Sequence, residues 1–185
     1  MKCRQTLYTG VSCAAWGYFF LYFDFNIGAV SVLPSFVGVL LFLSAIHLLK
    51  EERRDLALLQ PLGILLAVWH GADWAASWFG VTLDGRFAVL SLVISLAGLY
   101  FHFQLFTDFA ALAAKYQQSE AELDRRLLRW RTIQTVLLTA MALVSYPAQW
   151  LSEWWDYIIM AMAVVGLIAG ICLMMALFSL RKVFQ

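Results

Sequence analysis

Six apolar stretches, each about long enough to cross a bilayer and each ended by charged or turn-forming residues, constrain this chain most. They are Leu7–Phe23, Val32–Leu49, Leu56–Phe79, Phe87–Phe109, Ile133–Trp150 and Tyr157–Leu180. A helix needs roughly 20 apolar residues to cross about 30 Å of hydrocarbon. The longest connector between them, about 110–131, is too short for a soluble domain. Composition agrees: 63% of residues are apolar and 14% charged, with a mean hydropathy of +0.77. Soluble domains carry about 25% charge. The expectation is an all-α fold, a single polytopic bundle of six transmembrane helices over residues 1–185. The first stretch ends in Asp24-Phe25-Asn26 rather than a small-residue cleavage site, so it reads as a retained span.

Orientation follows from the basic residues. With the N-terminus in the cytoplasm, Lys2, Arg4, Lys50, Arg53, Arg54, Lys115, Arg125, Arg126, Arg129, Arg131, Arg181 and Lys182 fall inside, and of the 13 Lys and Arg only Arg86 falls outside. This is the asymmetry that the positive-inside rule describes. Both termini are then cytoplasmic. A net charge of +1 gives no electrostatic reason to expect nucleic acid.

One connector is long, about 110–131. Ser119-Glu120-Ala121-Glu122 matches a capping box, and Leu123, Leu127 and Trp130 share a helical face beside several arginines. The segment reads either as an amphipathic helix on the inner membrane surface or as the cytoplasmic start of span five. Its arginines suit anionic lipid or a protein partner. Pro34 and Pro61 fall in first turns, where a missing N–H costs little; Pro147 falls in a last turn and is expected to bend it.

Ionisable groups inside spans are expensive and mark candidate sites. His70 and Asp73 lie three apart on one face of span three, and His70, Trp74 and Trp78 form a stripe. With Trp150, Glu153 and Trp154 from the same outer end, they outline an acidic, tryptophan-lined outer cavity. Its aromatics would stack on a ligand, and Asp73 or Glu153 would pair with a cation. A hydrogen-bonded structural pair at His70–Asp73 and an aromatic belt are the alternatives. Span four adds His102, Gln104 and Asp108. Gln104 and Asp108 can meet, His102 faces another way, and Asp108 is expected to be solvated at the inner interface. His70 and His102 would form a ladder only if both faced one cavity.

Other chemistry is thin. Cys3, Cys13 and Cys172 form no CxxC, and there is no GxSxG, P-loop, GxGxxG or HExxH. No catalytic residue, cofactor or metal is assigned. The expectation is a non-enzymatic protein that binds, transports or senses a small molecule, with membrane lipids around it. An intramembrane enzyme using His70 and Asp73 is an alternative. Gly166 and Gly170 form a GxxxG, and Gly10 with Ala14 a second small pair, suited to close helix contact within the chain or between copies.

Phe23-Asp24-Phe25-Asn26-Ile27-Gly28, followed by Leu33-Pro34-Ser35-Phe36-Val37-Gly38, resembles the N-terminal hairpin of an uncharacterised family of small polytopic membrane proteins from Gram-positive bacteria. The family often has an acidic residue where this chain has Ser35. The resemblance covers about the first quarter of the chain. It implies a multi-pass protein of the bacterial plasma membrane and supplies no activity. In architecture alone, the predicted bundle is similar to the substrate-binding subunits of energy-coupling-factor vitamin transporters, a second alternative for function.

Overall fold

The computed structural model describes residues 2–22, 26–27, 30–31, 35–81, 83, 87–117, 122–145 and 154–185. The fold is helical: α1 (Lys2–Tyr22), α2 (Ser35–Leu49), a short α3 (Arg54–Leu58), α4 (Gln60–Ser77), α5 (Ala88–Tyr116), α6 (Leu123–Ser145) and α7 (Trp154–Lys182). Between α1 and α2, Asn26–Ile27 pairs antiparallel with Val30–Ser31 in a minimal hairpin whose second strand meets α4.

Each of the six long helices lies over one of the six apolar stretches. Two, Ala88–Tyr116 and Tyr157–Lys182, are long and apolar enough to cross a membrane, and only 28% and 22% of their most apolar windows are buried inside the protein. Three of the other four fall short for visible reasons. The 15 residues of α2 rise only about 22 Å. α1 opens on Lys2, Arg4 and Gln5, and α6 on Asp124, Arg125 and Arg126.

The stretch expected as one helix from Leu56 to Phe79 is broken. Pro61 stands in the first turn of α4, where it has no N–H for the carbonyl of Ala57 and its ring crowds that carbonyl. Leu59 closes α3 through its N–H to Leu56 O (3.1 Å), and its own carbonyl accepts Gly63 N–H (2.8 Å).

The amphipathic part of the connector is the first part of one long helix, because α6 runs unbroken from Leu123 through Arg131 into the apolar segment. Leu123, Leu127 and Gln134 are buried and Trp130 packs on the core, one stripe along the helix. The expected capping box does not start it. Glu122 takes a φ of 43° just outside the helix, and its carboxylate meets Arg125 at 3.1 Å. Gln117, at the end of α5, supplies the cap. Its Oε1 accepts the amides of Leu123 (2.7 Å) and Asp124 (3.3 Å), and its Nε2 donates to Asp124 Oδ1 (2.7 Å). Ser119, Pro34 and Pro147 lie outside the described residues.

α1 packs on α2 and α7, α2 on α4, α4 on α5, α5 on α6 and α6 on α7, so the long helices close a ring whose thinnest seam is α4–α5. Both small-residue pairs are used inside the chain. A Cβ on Gly10 would stand 2.7 Å from Leu49 Cγ, and one on Gly170 would enter the Tyr22 ring. The tightest backbone approach among these glycines joins α1 to α2, where a Cβ on Gly38 would lie 2.6 Å from Gly17 O.

Basic residues gather at one end of the ring. Lys115 Nζ meets Glu52 at 2.6 Å, Arg181 lies over the Tyr8 and Phe178 rings, and Arg131 donates to Thr107 (2.7 Å) while covering Phe103. These contacts bring the starts of α1 and α6 together with the ends of α2, α5 and α7.

Candidate functional site

The ring surrounds a cavity of about 440 Å³ that reaches five of the six long helices. α1 lends Tyr18 and Tyr22, α2 Phe42, α4 Leu66, Trp69 and His70, α5 a wall from Ser91 to Leu105, and α6 Gln134, Leu138 and Ala142. No Asp, Glu, Lys or Arg is among the described residues that line it. The size falls within the roughly 300–1,000 Å³ of small-molecule sites, as does an apolar wall with few polar groups.

Two of those polar groups satisfy one another. Tyr18 Oη donates to Gln134 Oε1 at 2.5 Å, joining α1 to α6 across 116 residues of sequence. Tyr22 stacks on Tyr18 with centroids 5.4 Å apart and donates to the Gly166 carbonyl of α7. His102 differs. It is 9% exposed, packs on both Tyr18 (6.0 Å between centroids) and Phe106 (4.7 Å), and neither ring nitrogen has a hydrogen-bond partner among the described residues. Leaving a buried polar group unsatisfied costs about 1–3 kcal/mol.

The expected outer site is distributed differently. His70 lines the cavity, whereas Asp73, Trp74 and Trp78 are not among its lining residues. Asp73 Oδ1 accepts the Leu83 amide at 3.0 Å, tying the chain beyond α4 back to that helix. Trp74 packs on Phe36 (5.5 Å between centroids) and edge-on to Trp78 (5.6 Å), so the two tryptophans meet along the helix as their spacing requires. Trp154 opens α7; its side chain, Trp150 and Glu153 lie outside the described residues. His70 and His102 do line one cavity, the condition set for a histidine ladder.

Asp108 corrects an expectation. It is 0% exposed rather than solvated, and it accepts from Arg53 Nη2 (3.2 Å) and Gln104 Nε2 (3.3 Å). The Gln104–Asp108 pairing is as expected. Arg53, from the bend between α2 and α3, supplies the positive charge that burial demands.

Sequence reasoning missed Tyr18, Tyr22 and Gln134. The signal was there for Gln134, because the Leu123, Leu127, Trp130 stripe continues at helical spacing to this polar residue. A core position filled by glutamine asks for a partner on another helix.

No family model, curated protein or solved structure matches the chain. The helical ring and its neutral cavity therefore define the class of protein by themselves: an α-helical bundle with an internal small-molecule-sized chamber.

Proposed function

We propose that the chain is a six-span integral protein of a bacterial plasma membrane, with both termini cytoplasmic, that binds a small apolar molecule inside its ring for transport or sensing. Lipid as solvent is supported by the outward faces. Val68, Phe79, Val89, Val136, Leu143 and Tyr157 are each more than 60% exposed, an apolar surface that water does not favour. The low burial of the two longest apolar helices supports the same reading, since core helices of soluble proteins are mostly buried. The gathering of basic side chains at one end supports the orientation.

The observation that carries the binding function is the chamber itself, apolar-walled and holding an unpartnered histidine. Native mass spectrometry after gentle detergent extraction tests it. The wild-type chain is expected to retain a small-molecule adduct. Gly98→Phe is expected to lose it, because a Cβ there points across the seam to Leu66 Cδ2 at 3.6 Å and a ring would fill the chamber. A wild-type chain carrying only bulk lipid would end this reading.

A second reading keeps the ligand at the outer end, on His70, Asp73, Trp74 and Trp78 with Trp150, Glu153 and Trp154. The Phe36–Trp74–Trp78 cluster favours it as an aromatic wall. An adduct that survives Gly98→Phe but not Trp74→Ala would select it.

A further inference from the structure

We infer that the chamber takes a neutral, largely apolar molecule carrying one hydroxyl or carbonyl group, and that His102 is the residue that reads this group. The inference rests on the chamber being the ligand site and names the chemistry it accepts. Three observations converge on it. Among the described residues the lining has no carboxylate, ammonium or guanidinium group, so a charged ligand would enter without a counter-charge from them. Tyr18 already spends its hydroxyl proton on Gln134 Oε1 at 2.5 Å. His102 lines the chamber nine-tenths buried, with both ring nitrogens unpartnered among the described residues.

A neutral imidazole carries one N–H and one bare nitrogen. Its N–H can donate to a hydroxyl or carbonyl oxygen, or its bare nitrogen can accept a hydroxyl proton. Phe106 and Tyr18 both pack on the ring in tilted contacts, at 4.7 and 6.0 Å between centroids. Around it, Phe42, Leu66, Phe101, Leu105 and Leu138 supply surface for the apolar remainder of the molecule.

The test uses the full chain in lipid nanodiscs, titrated calorimetrically with 2-naphthol and with naphthalene, which has the same ring system without the hydroxyl. Empty nanodiscs of the same lipid correct for partitioning. The wild type is expected to bind 2-naphthol about tenfold more tightly than naphthalene, one hydrogen bond's worth. His102→Phe is expected to erase that preference while leaving naphthalene unchanged. Equal binding of both probes by the wild type overturns the inference and leaves the chamber as an unselective ligand site. Binding of neither overturns the chamber reading as well.

A preference retained in His102→Phe removes the histidine from the account. If His102→Phe does not fold, His102→Gln keeps a donor and an acceptor and is expected to keep the preference; its loss there counts against the inference. Organic extraction of the purified chain identifies the source. A membrane-resident alcohol or quinone is enriched over protein-free membranes, whereas a water-borne phenol is found only when added.

Discussion

Arg53 and Asp108 carry the clearest stability consequence at the scale of single residues. Removing Arg53 leaves a fully buried carboxylate with only Gln104 beside it. Breaking a buried pair from one side costs about 3–5 kcal/mol, and Arg53→Ala is expected at the low end because its side chain is 34% exposed. The double variant Arg53→Met with Asp108→Leu is expected to recover most of that loss in thermal melts.

Gln117 gives a pH prediction. Its amide donates to Asp124 and holds that carboxyl below its ordinary range. The folded chain therefore releases the Asp124 proton at lower pH than the unfolded chain. The stabilisation is complete above the ordinary value of about 3.9 and is lost as pH falls through the depressed one. In Gln117→Leu, the Asp124 carboxyl followed by NMR is expected to titrate at higher pH than in the wild type, and the first amides of α6 to exchange faster. Neither residue's role was legible in the sequence. Ser119 and Glu122 offered a better local match, and only the turn between α5 and α6 decides which side chain reaches the free amides.

At the scale of elements, the sequence was legible wherever hydrophobic length decides, and unreadable wherever a specific approach of two backbones decides. The six apolar stretches locate the six long helices, and Leu123, Leu127 and Trp130 locate the inner face of α6. The break at Leu59 follows from Pro61, but a first-turn proline alone did not separate a helix start from a mid-helix break. The Gly17–Gly38 crossing had no signature, since each glycine matters only through the other. Gly38→Ala is expected to destabilise the bundle by about 1–3 kcal/mol through forced separation of α1 and α2. Gly71→Ala meets nothing closer than Phe36 Cγ at 4.0 Å. It is expected to be neutral or to stabilise by up to about 1 kcal/mol through helix propensity. Parallel melts of the two variants check the contrast.

For the whole molecule, the candidate site was legible only in part. His70 was found because an ionisable group within a span is conspicuous, and it does line the chamber. The rest of the chamber is built from Tyr18, His102 and Gln134 on three helices whose mutual facing is set by ring closure, which no local pattern encodes. The proposed orientation makes a prediction at this scale. In a cysteine-free background, Phe79→Cys is expected to react with a membrane-impermeant thiol reagent in intact cells. Gln185→Cys is expected to react only after permeabilisation. The reverse pattern would invert the bundle.

The glycine contact between α1 and α2 also bears on the order of assembly. The two helices are neighbours in sequence and meet backbone to backbone, so their union requires little loop closure and no later segment. During synthesis from the N-terminus, this hairpin is the first part of the ring that can be finished. The chamber is a late arrival, because Tyr18 must wait 116 residues for Gln134. A chain halted before α6 would hold a finished hairpin and no chamber, which makes ligand capture a readout of completed synthesis as well as of chemistry.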